Sequence, residues 1–187
     1  MRIGRNIVGW YIRIPSVLNA QKMYVGKGIK SSIIIDSNVI IDTFDPSSQN
    51  HSASYKFMDY ILGRNILFAM PMHGWFEINC TLNRIKKEKD IVPPILAGRQ
   101  QMAIEFIHID DQFLQNYSSV DVPAIRAMDH LFLVVAKKNH LPLITWDKQM
   151  ACAGKQCGLD VYDPTEWMQQ MTNSQQSNPP DPRSSGR

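Results

Sequence analysis

The sequence predicts an α/β protein, a three-layer α/β/α sandwich built on a mostly parallel sheet of about five strands. Short runs of branched apolar residues, such as Ile33-Ile34-Ile35, are typical of strands buried on both faces of a parallel sheet. Longer segments with apolar residues at helical spacing lie between these runs. This alternation is typical of βαβ units, in which a helix connects two parallel strands.

Five short apolar runs are predicted to form the strands. They cover residues 32–35, 66–69, 106–109, 142–145 and 161–162. The first predicted helix has Tyr55, Met58 and Leu62 at helical spacing, and the second ends before the pair Pro93-Pro94. The predicted helices cover residues 52–62, 71–89, 98–104, 124–139 and 150–157, and residues 110–123 are predicted to form a short helix and a loop.

One folded domain is the expectation for a chain of 187 residues. We expect this domain to span residues 32–168, after an N-terminal extension of residues 1–31 whose glycines and lysines resemble a linker. Residues 172–187 are rich in Ser, Gln, Asn and Pro and nearly lack apolar side chains. They are therefore predicted to form a disordered polar tail.

The composition is that of an ordinary soluble globular protein, with 44% apolar and 20% charged residues. No apolar run approaches the roughly 18 residues that span a bilayer. Because no secretory signal is evident either, we expect no membrane association and a cytoplasmic location. The three cysteines lack metal-site spacing and are expected to be reduced. The net charge of +3 permits a nucleic-acid partner without requiring one.

Two aspartates follow predicted strands. Asp36 comes directly after Ile35, and Asp147 follows Ile144 and Thr145 with only Trp146 between. Functional groups of parallel sheets gather beyond the carboxyl ends of the strands, so the two acids are candidates for one site. The alternative for each is the N-cap of the following helix, a position that Asp commonly takes.

Asp129 has an unusual position on its predicted helix. It shares a face with Phe132, Leu133 and Ala136, the apolar stripe expected to pack on the sheet. A carboxylate on that stripe is partly desolvated, which is costly unless the carboxylate is paired or binds a cation. Arg126 or His130 offers a structural ion pair, and metal binding is the other explanation.

Glu77 lies about 100° around its helix from the apolar stripe formed by Ile78, Leu82 and Ile85. The simple interpretation is a solvated helix face. The functional interpretation is that Glu77 lines a groove opposite Asp36. Arg84 would then lie about two turns further along and could bind a phosphate of a polyanionic substrate.

Four carboxylates that converge repel one another unless a cation compensates them. Oxygen ligands favour hard ions such as Mg²⁺ or Mn²⁺. Such ions bind phosphate oxygens, activate water and stabilise a leaving oxygen. Asp36, Glu77, Asp129 and Asp147 together therefore indicate metal-assisted hydrolysis of a phosphodiester.

The segment from Asp129 to Asp147, with Thr145 two residues before its end, closely resembles the C-terminal signature of PIN domains. That signature is a helix-borne Asp followed by a turn and a strand that ends in Thr-x-Asp. Residues 33–41, with Asp36 and Asn38, look like the first strand and first acid of the family. Glu77 is similar in position to the second acid, and the resemblance covers roughly residues 32–165.

The resemblance implies a PIN fold and Mg²⁺- or Mn²⁺-dependent cleavage of RNA. Asp36, Glu77, Asp129 and Asp147 would hold the metal, with Thr145 and Asn38 in support. The chain is similar in size to VapC-type toxins, which implies a homodimer, a cognate antitoxin as protein partner and a toxin's role. The alternative is a catalytically silent PIN scaffold that binds RNA or a protein. The run before Glu77, which includes His73, is bulkier than usual, and His73 is predicted to be structural or exposed.

Overall fold

The computed structural model describes residues 32–89 and 104–176. At its centre is a sheet of five strands, all of them parallel to their neighbours. The strands are β1 (Ile33–Ile35), β2 (Phe68–Pro71), β3 (Ile104–Ile107), β4 (Leu143–Ile144) and β5 (Val161–Tyr162). Their order across the sheet is β3-β2-β1-β4-β5. The predicted fold class is confirmed.

Helices cover the sheet on both faces. Those in the described part of the chain are α1 (Ser37–Phe44), α2 (His51–Gly63), α3 (Met72–Lys89), α4 (Asp111–Tyr117), α5 (Ala127–Asn139), α6 (Lys148–Gln156) and α7 (Pro164–Gln176). Helix α1 packs on α2 and α3, and α2 packs on α7, whereas α5 packs on α4, α6 and the central strands. Right-handed crossovers place the helices that follow β1 and β2 on the face opposite those that follow β3 and β4.

The apolar side chains of the central strands form the core. All residues of β1 and β2 are buried, as expected for strands with neighbours on both edges and helices on both faces. The helices add a second set of fully buried side chains, among them Phe57, Ile61, Ile78, Leu82 and Phe132. Burial of each such side chain contributes about 2 kcal/mol to stability, and this contribution holds α2, α3 and α5 in the core.

Several elements differ from the prediction, which also lacks helix α7. Strand β3 begins at Ile104, where the sequence predicts the end of a helix that otherwise lies outside the described residues. Helix α1 is absent from the prediction. Its Val39 and Ile40 have strand-like propensity, but they are fully buried, and tertiary packing outweighs propensity. Helix α5 begins at Ala127, and α7 continues past Thr172 to Gln176, which is inside the predicted tail.

The carboxyl ends of β1 and β4 form the edge that matters for function. The two strands are paired at Ile35 and Ile144, and the backbone N–H of Asp36 donates to the carbonyl of Ile144 at 3.0 Å. The chain leaves β1 towards β2 and returns across the sheet to β4, so the crossovers diverge at this point and leave a crevice. Within residues 32–89 and 104–176, no helix is both long and apolar enough to cross a membrane.

Candidate active site

Asp36 lies at the carboxyl end of β1, and its carboxyl group is buried. The side chain does not cap α1, although Asp36 occupies the N-cap position of that helix. One oxygen, Oδ2, accepts a hydrogen bond from Thr145 Oγ1 at 2.6 Å, and Oδ1 accepts one from Ser37 Oγ at 3.2 Å. The capping explanation therefore fails for this side chain, which instead points across the sheet to the end of β4.

The pKa of Asp36 is raised from 3.8 to about 7. Loss of hydration on burial is the largest cause, and the charges of Glu77 and Asp129 raise the pKa further. The hydrogen bonds from Thr145 and Ser37 favour the charged form and lower it. At neutral pH, therefore, Asp36 holds a proton about half of the time.

Glu77 reaches this site from α3 although it is exposed to solvent. Its Oε2 accepts a hydrogen bond from Ser37 Oγ at 2.6 Å, so one hydroxyl links the carboxylates of Glu77 and Asp36. Ser37 does not figure in the sequence prediction, and its place directly after a strand-end acid is the signal that could have revealed it.

Thr145 and Asn38 connect the ends of β1 and β4. Thr145 Oγ1 donates to Asp36 and accepts from the backbone N–H of Asp147 at 2.9 Å. Asn38 makes longer contacts of 3.4 Å with Thr145 Oγ1 and with the backbone N–H of Trp146. Both side chains lie where the sequence places them, beside the first and last acids.

Asp147 does cap a helix, but with one oxygen only. Its Oδ1 accepts from the backbone N–H groups of Gln149 and Met150 at 2.7 and 3.0 Å, which fixes the start of α6. Its Oδ2 lies 3.9 Å from Nη2 of Arg126. The capping role therefore orients the carboxylate and leaves the second oxygen facing the site.

Asp129 lies in the first turn of α5 and is electrostatically close to the other three acids. Its pKa is raised, chiefly by burial, and the charges of Asp147 and Glu77 add to that effect. Asp129 in turn raises the pKa of Asp36. Arg126 opposes the shift, because its Nε lies 3.5 Å from Asp129 Oδ2. The structural ion pair considered for Asp129 therefore forms with Arg126.

The described residues include no group of three or more His, Cys, Asp or Glu side chains arranged to hold a metal ion. The donors nevertheless suit a hard cation, because all four acids supply carboxylate oxygens. Burial is the main cause of the raised pKa values of Asp36 and Asp129, and the neighbouring acids raise them further; a cation between the acids would offset that repulsion. By donor chemistry and charge, the four acids fit Mg²⁺ or Mn²⁺.

His73 lies close to Glu77 and Asp129, whereas Arg84 lies further along α3. Arg84 is exposed on α3, about two turns beyond Glu77. His73, at the start of α3, is only 8% exposed and packs edge-on against Phe132. Burial lowers its pKa, although Glu77, the Met128 backbone and Asp129 raise it. The burial of His73 and its contact with Phe132 are those of a structural residue, one of the two roles predicted for it.

The chain is similar to solved structures and matches one family model. Similar solved structures include FitAB bound to an IR36 DNA fragment, with 15% identity and a TM-score of 0.43 over 71% of this chain and 94% of that chain. FitAcB from Neisseria gonorrhoeae has 16% identity and a TM-score of 0.40 over 71% of this chain and 98% of that one. No curated protein matches the chain. The PIN domain family model matches residues 33–155, a range that contains all four carboxylates. The chain belongs to the PIN domain family.

Proposed function

We propose that this PIN domain is a divalent-metal-dependent endoribonuclease that hydrolyses RNA at the carboxylates Asp36, Glu77, Asp129 and Asp147. The observation that carries the proposal is the buried Asp36 carboxyl group, whose pKa is about 7 beside Glu77 and Asp129. A buried acid surrounded by other acids destabilises the fold and is typical of a functional site. PIN domains are generally nucleases that use divalent metal ions, which supports the same conclusion.

In this proposal the four carboxylates hold Mg²⁺ or Mn²⁺. When bound, such an ion polarises the phosphate and lowers the pKa of a coordinated water. The protein's own hydrogen bonds keep the ligands in place: Thr145 orients Asp36 and the backbone of Asp147, and Ser37 orients Glu77. Asn38, at the start of α1, donates a long hydrogen bond to Thr145 Oγ1.

The proposed substrate is single-stranded RNA, whose backbone can enter the open crevice at the carboxyl ends of β1 and β4. Arg84 is the proposed phosphate contact on α3. Because it lies about two turns from Glu77, it would contact a phosphate several ångströms from the cleaved bond and would affect KM more than kcat.

Incubation of the purified protein with a single-stranded RNA oligonucleotide and Mg²⁺ or Mn²⁺ tests the proposal. We expect cleavage that chelation abolishes. The variants Asp36→Asn and Asp129→Asn should each lose more than about a hundredfold in rate, because each removes a charged ligand. Asp59→Asn, a change of the same kind on the exposed side of α2, should retain full activity. Cleavage unaffected by either site variant would refute the assignment.

The alternative is a catalytically silent PIN scaffold that binds RNA or a protein partner. It is favoured by the lack of a three-ligand arrangement among the described side chains. Thermal unfolding distinguishes the two: a metal site predicts that Mn²⁺ raises the melting temperature, whereas a silent scaffold predicts no shift.

A toxin's role is a separate proposal that rests on the family resemblance, as do the homodimer and the cognate antitoxin. Inducible expression of the intact chain should arrest growth, and expression of Asp36→Asn should not. Normal growth with the intact chain at the same protein level would argue against a toxin while leaving the nuclease proposal in place.

A further inference from the structure

Arg126 lies against two of the four carboxylates. Its Nε is 3.5 Å from Asp129 Oδ2, and its Nη2 is 3.9 Å from Asp147 Oδ2. The guanidinium group therefore spans an acid on α5 and an acid at the end of β4. Arg126 itself lies just before α5 in an extended conformation and does not cap the helix with its side chain.

This ion-pair network is weak enough to open. The Arg126 side chain is 75% exposed, whereas the side chains of Asp129 and Asp147 are only 26% and 25% exposed. Ion pairs with so exposed a partner contribute little to stability. The acids are held in place by the fold, but the cation that joins them can move into solvent without disturbing α5 or α6.

Arg126 and a metal ion require the same oxygen of Asp147. Oδ1 of Asp147 already accepts two backbone hydrogen bonds at the start of α6, so Oδ2 is its free oxygen. That oxygen faces Arg126. A dication bound there would also repel the guanidinium, so the ion and Arg126 in its observed position compete for that oxygen.

We propose that Arg126 is a built-in counter-cation of the site: it pairs with Asp129 and Asp147 before metal binds, gives way to the metal, and then binds a phosphate of the RNA. Once released, its planar guanidinium can form two parallel hydrogen bonds to a phosphate. Its position beside the acids would place that phosphate near the bond to be cleaved. This inference rests on the proposed ribonuclease function.

Binding of Mn²⁺ alone, measured by electron paramagnetic resonance, tests the first half. Arg126→Gln removes the competing cation, so we expect Mn²⁺ to bind roughly three- to tenfold more tightly than in the wild type. Arg126→Lys keeps a positive charge and should stay closer to the wild-type affinity. Lys155→Gln, an exposed change in the last turn of α6, should leave the affinity unchanged.

Cleavage of a single-stranded RNA oligonucleotide at saturating Mn²⁺ tests the second half. Arg126→Gln should raise KM, and the dependence of log kcat/KM on log salt should become less steep by about 0.7, the effect of one lost phosphate contact. Arg126→Lys should lose part of the substrate affinity because a point charge lacks the guanidinium fork.

Arg126→Gln should have opposite effects on the two affinities, for Mn²⁺ and for RNA. Loss of packing would weaken both metal and RNA binding, whereas a displaceable counter-cation strengthens the first and weakens the second. Mn²⁺ affinity that is unchanged or lower in Arg126→Gln overturns the inference while the wild-type protein still cleaves RNA. Unchanged KM overturns the phosphate contact. A wild-type protein that binds no Mn²⁺ overturns the proposed function and this inference together.

Discussion

At the scale of single residues, the site is organised around the unfavourable burial of Asp36. The fold places this carboxyl group out of water and beside Glu77 and Asp129, and only two hydroxyl groups compensate for the lost hydration. The group responds by retaining a proton up to a pH of about 7. Burial of the ionised form of Asp36 therefore opposes the stability of the fold.

The raised pKa of Asp36 predicts how stability depends on pH. The pKa of Asp36 is about 7 in the folded protein, above its ordinary value of 3.8. The protonated carboxyl group therefore contributes its full stability to the folded state below pH 3.8. This stability is lost as the pH rises through 7. Asp36→Asn cannot ionise, so without metal at pH 8 it should be more stable than the wild type, by at most about 4 kcal/mol.

Chemical denaturation at pH 8 and pH 5 measures this difference in the free energy of unfolding. The advantage of Asp36→Asn should shrink at pH 5, and Asp59→Asn should track the wild type at both values. If Asp36→Asn were less stable than the wild type at pH 8, burial of the ionised Asp36 carboxylate would not destabilise the fold as predicted.

A change at Ser37 should have a different effect, because its hydroxyl makes a shorter bond to Glu77 than to the buried Asp36. Ser37→Ala removes the 2.6 Å bond that holds the exposed Glu77 side chain. Loss of a positioning hydrogen bond at a metal site typically lowers metal affinity by about tenfold or more. We expect that loss in Mn²⁺ titrations, with a stability change within about 1.5 kcal/mol. Ser52→Ala, on the exposed face of α2, is the control; equal Mn²⁺ affinities in both variants would deny Ser37 this role.

At the scale of elements, the distance between Glu77 and Asp129 depends on how the first turns of α3 and α5 pack. Two consecutive residues of α3 touch Phe132 of α5: the His73 ring packs edge-on at 5.2 Å, and Gly74 leaves the ring room. A Cβ on Gly74 would lie 2.9 Å from Cζ of Phe132. Because Phe132 is buried, the ring cannot simply turn away.

Gly74→Ala should therefore destabilise the protein by about 1–3 kcal/mol and also lower activity, since it pushes α3 and α5 apart. Gly63→Ala provides a matched control at the end of α2, where a Cβ meets nothing within 4 Å. That variant should be neutral or more stable by up to about 1 kcal/mol. Thermal melts and a cleavage assay measure both effects. Equal melting temperatures and equal cleavage rates of the two variants would show that the close contact between Gly74 and Phe132 affects neither stability nor activity.

At the scale of the whole molecule, the sequence predicts what depends on local pattern. Asp36 and Asp147 follow buried β-branched runs, and this position in the sequence is enough to assign both acids to the carboxyl edge of the sheet. Asp129 is signalled by its place on an apolar stripe whose Phe132, Leu133 and Ala136 are indeed buried. The parallel sheet follows from the alternation of strands and helices.

What the sequence could not predict depends on contacts between distant segments. Ser37 matters because α3 brings Glu77 within 2.6 Å of it, and Arg126 matters because α5 starts beside the end of β4. The sequence around Ser37 and Arg126 draws attention to both residues, but it does not show that Ser37 contacts Glu77 or that Arg126 contacts Asp147. Helix α1 is absent from the prediction for a related reason, since burial of Val39 and Ile40 by neighbouring helices stabilises a segment with weak helix propensity.

The rise in melting temperature that Mn²⁺ causes should depend on pH. Binding of Mn²⁺ to Asp36 requires the ionised carboxylate, and with a pKa of about 7 only about a tenth of the molecules have it at pH 6. Most have it at pH 8. Apparent Mn²⁺ affinity should therefore be roughly tenfold higher at pH 8 than at pH 6, and subsaturating Mn²⁺ should raise the melting temperature more at pH 8.

In Asp36→Asn this pH dependence should be reduced, because the group that exchanges the proton is gone. A Mn²⁺-induced shift of equal size at both pH values in the wild type would mean that metal binds without displacing a proton from Asp36, and hence without Asp36 as a ligand.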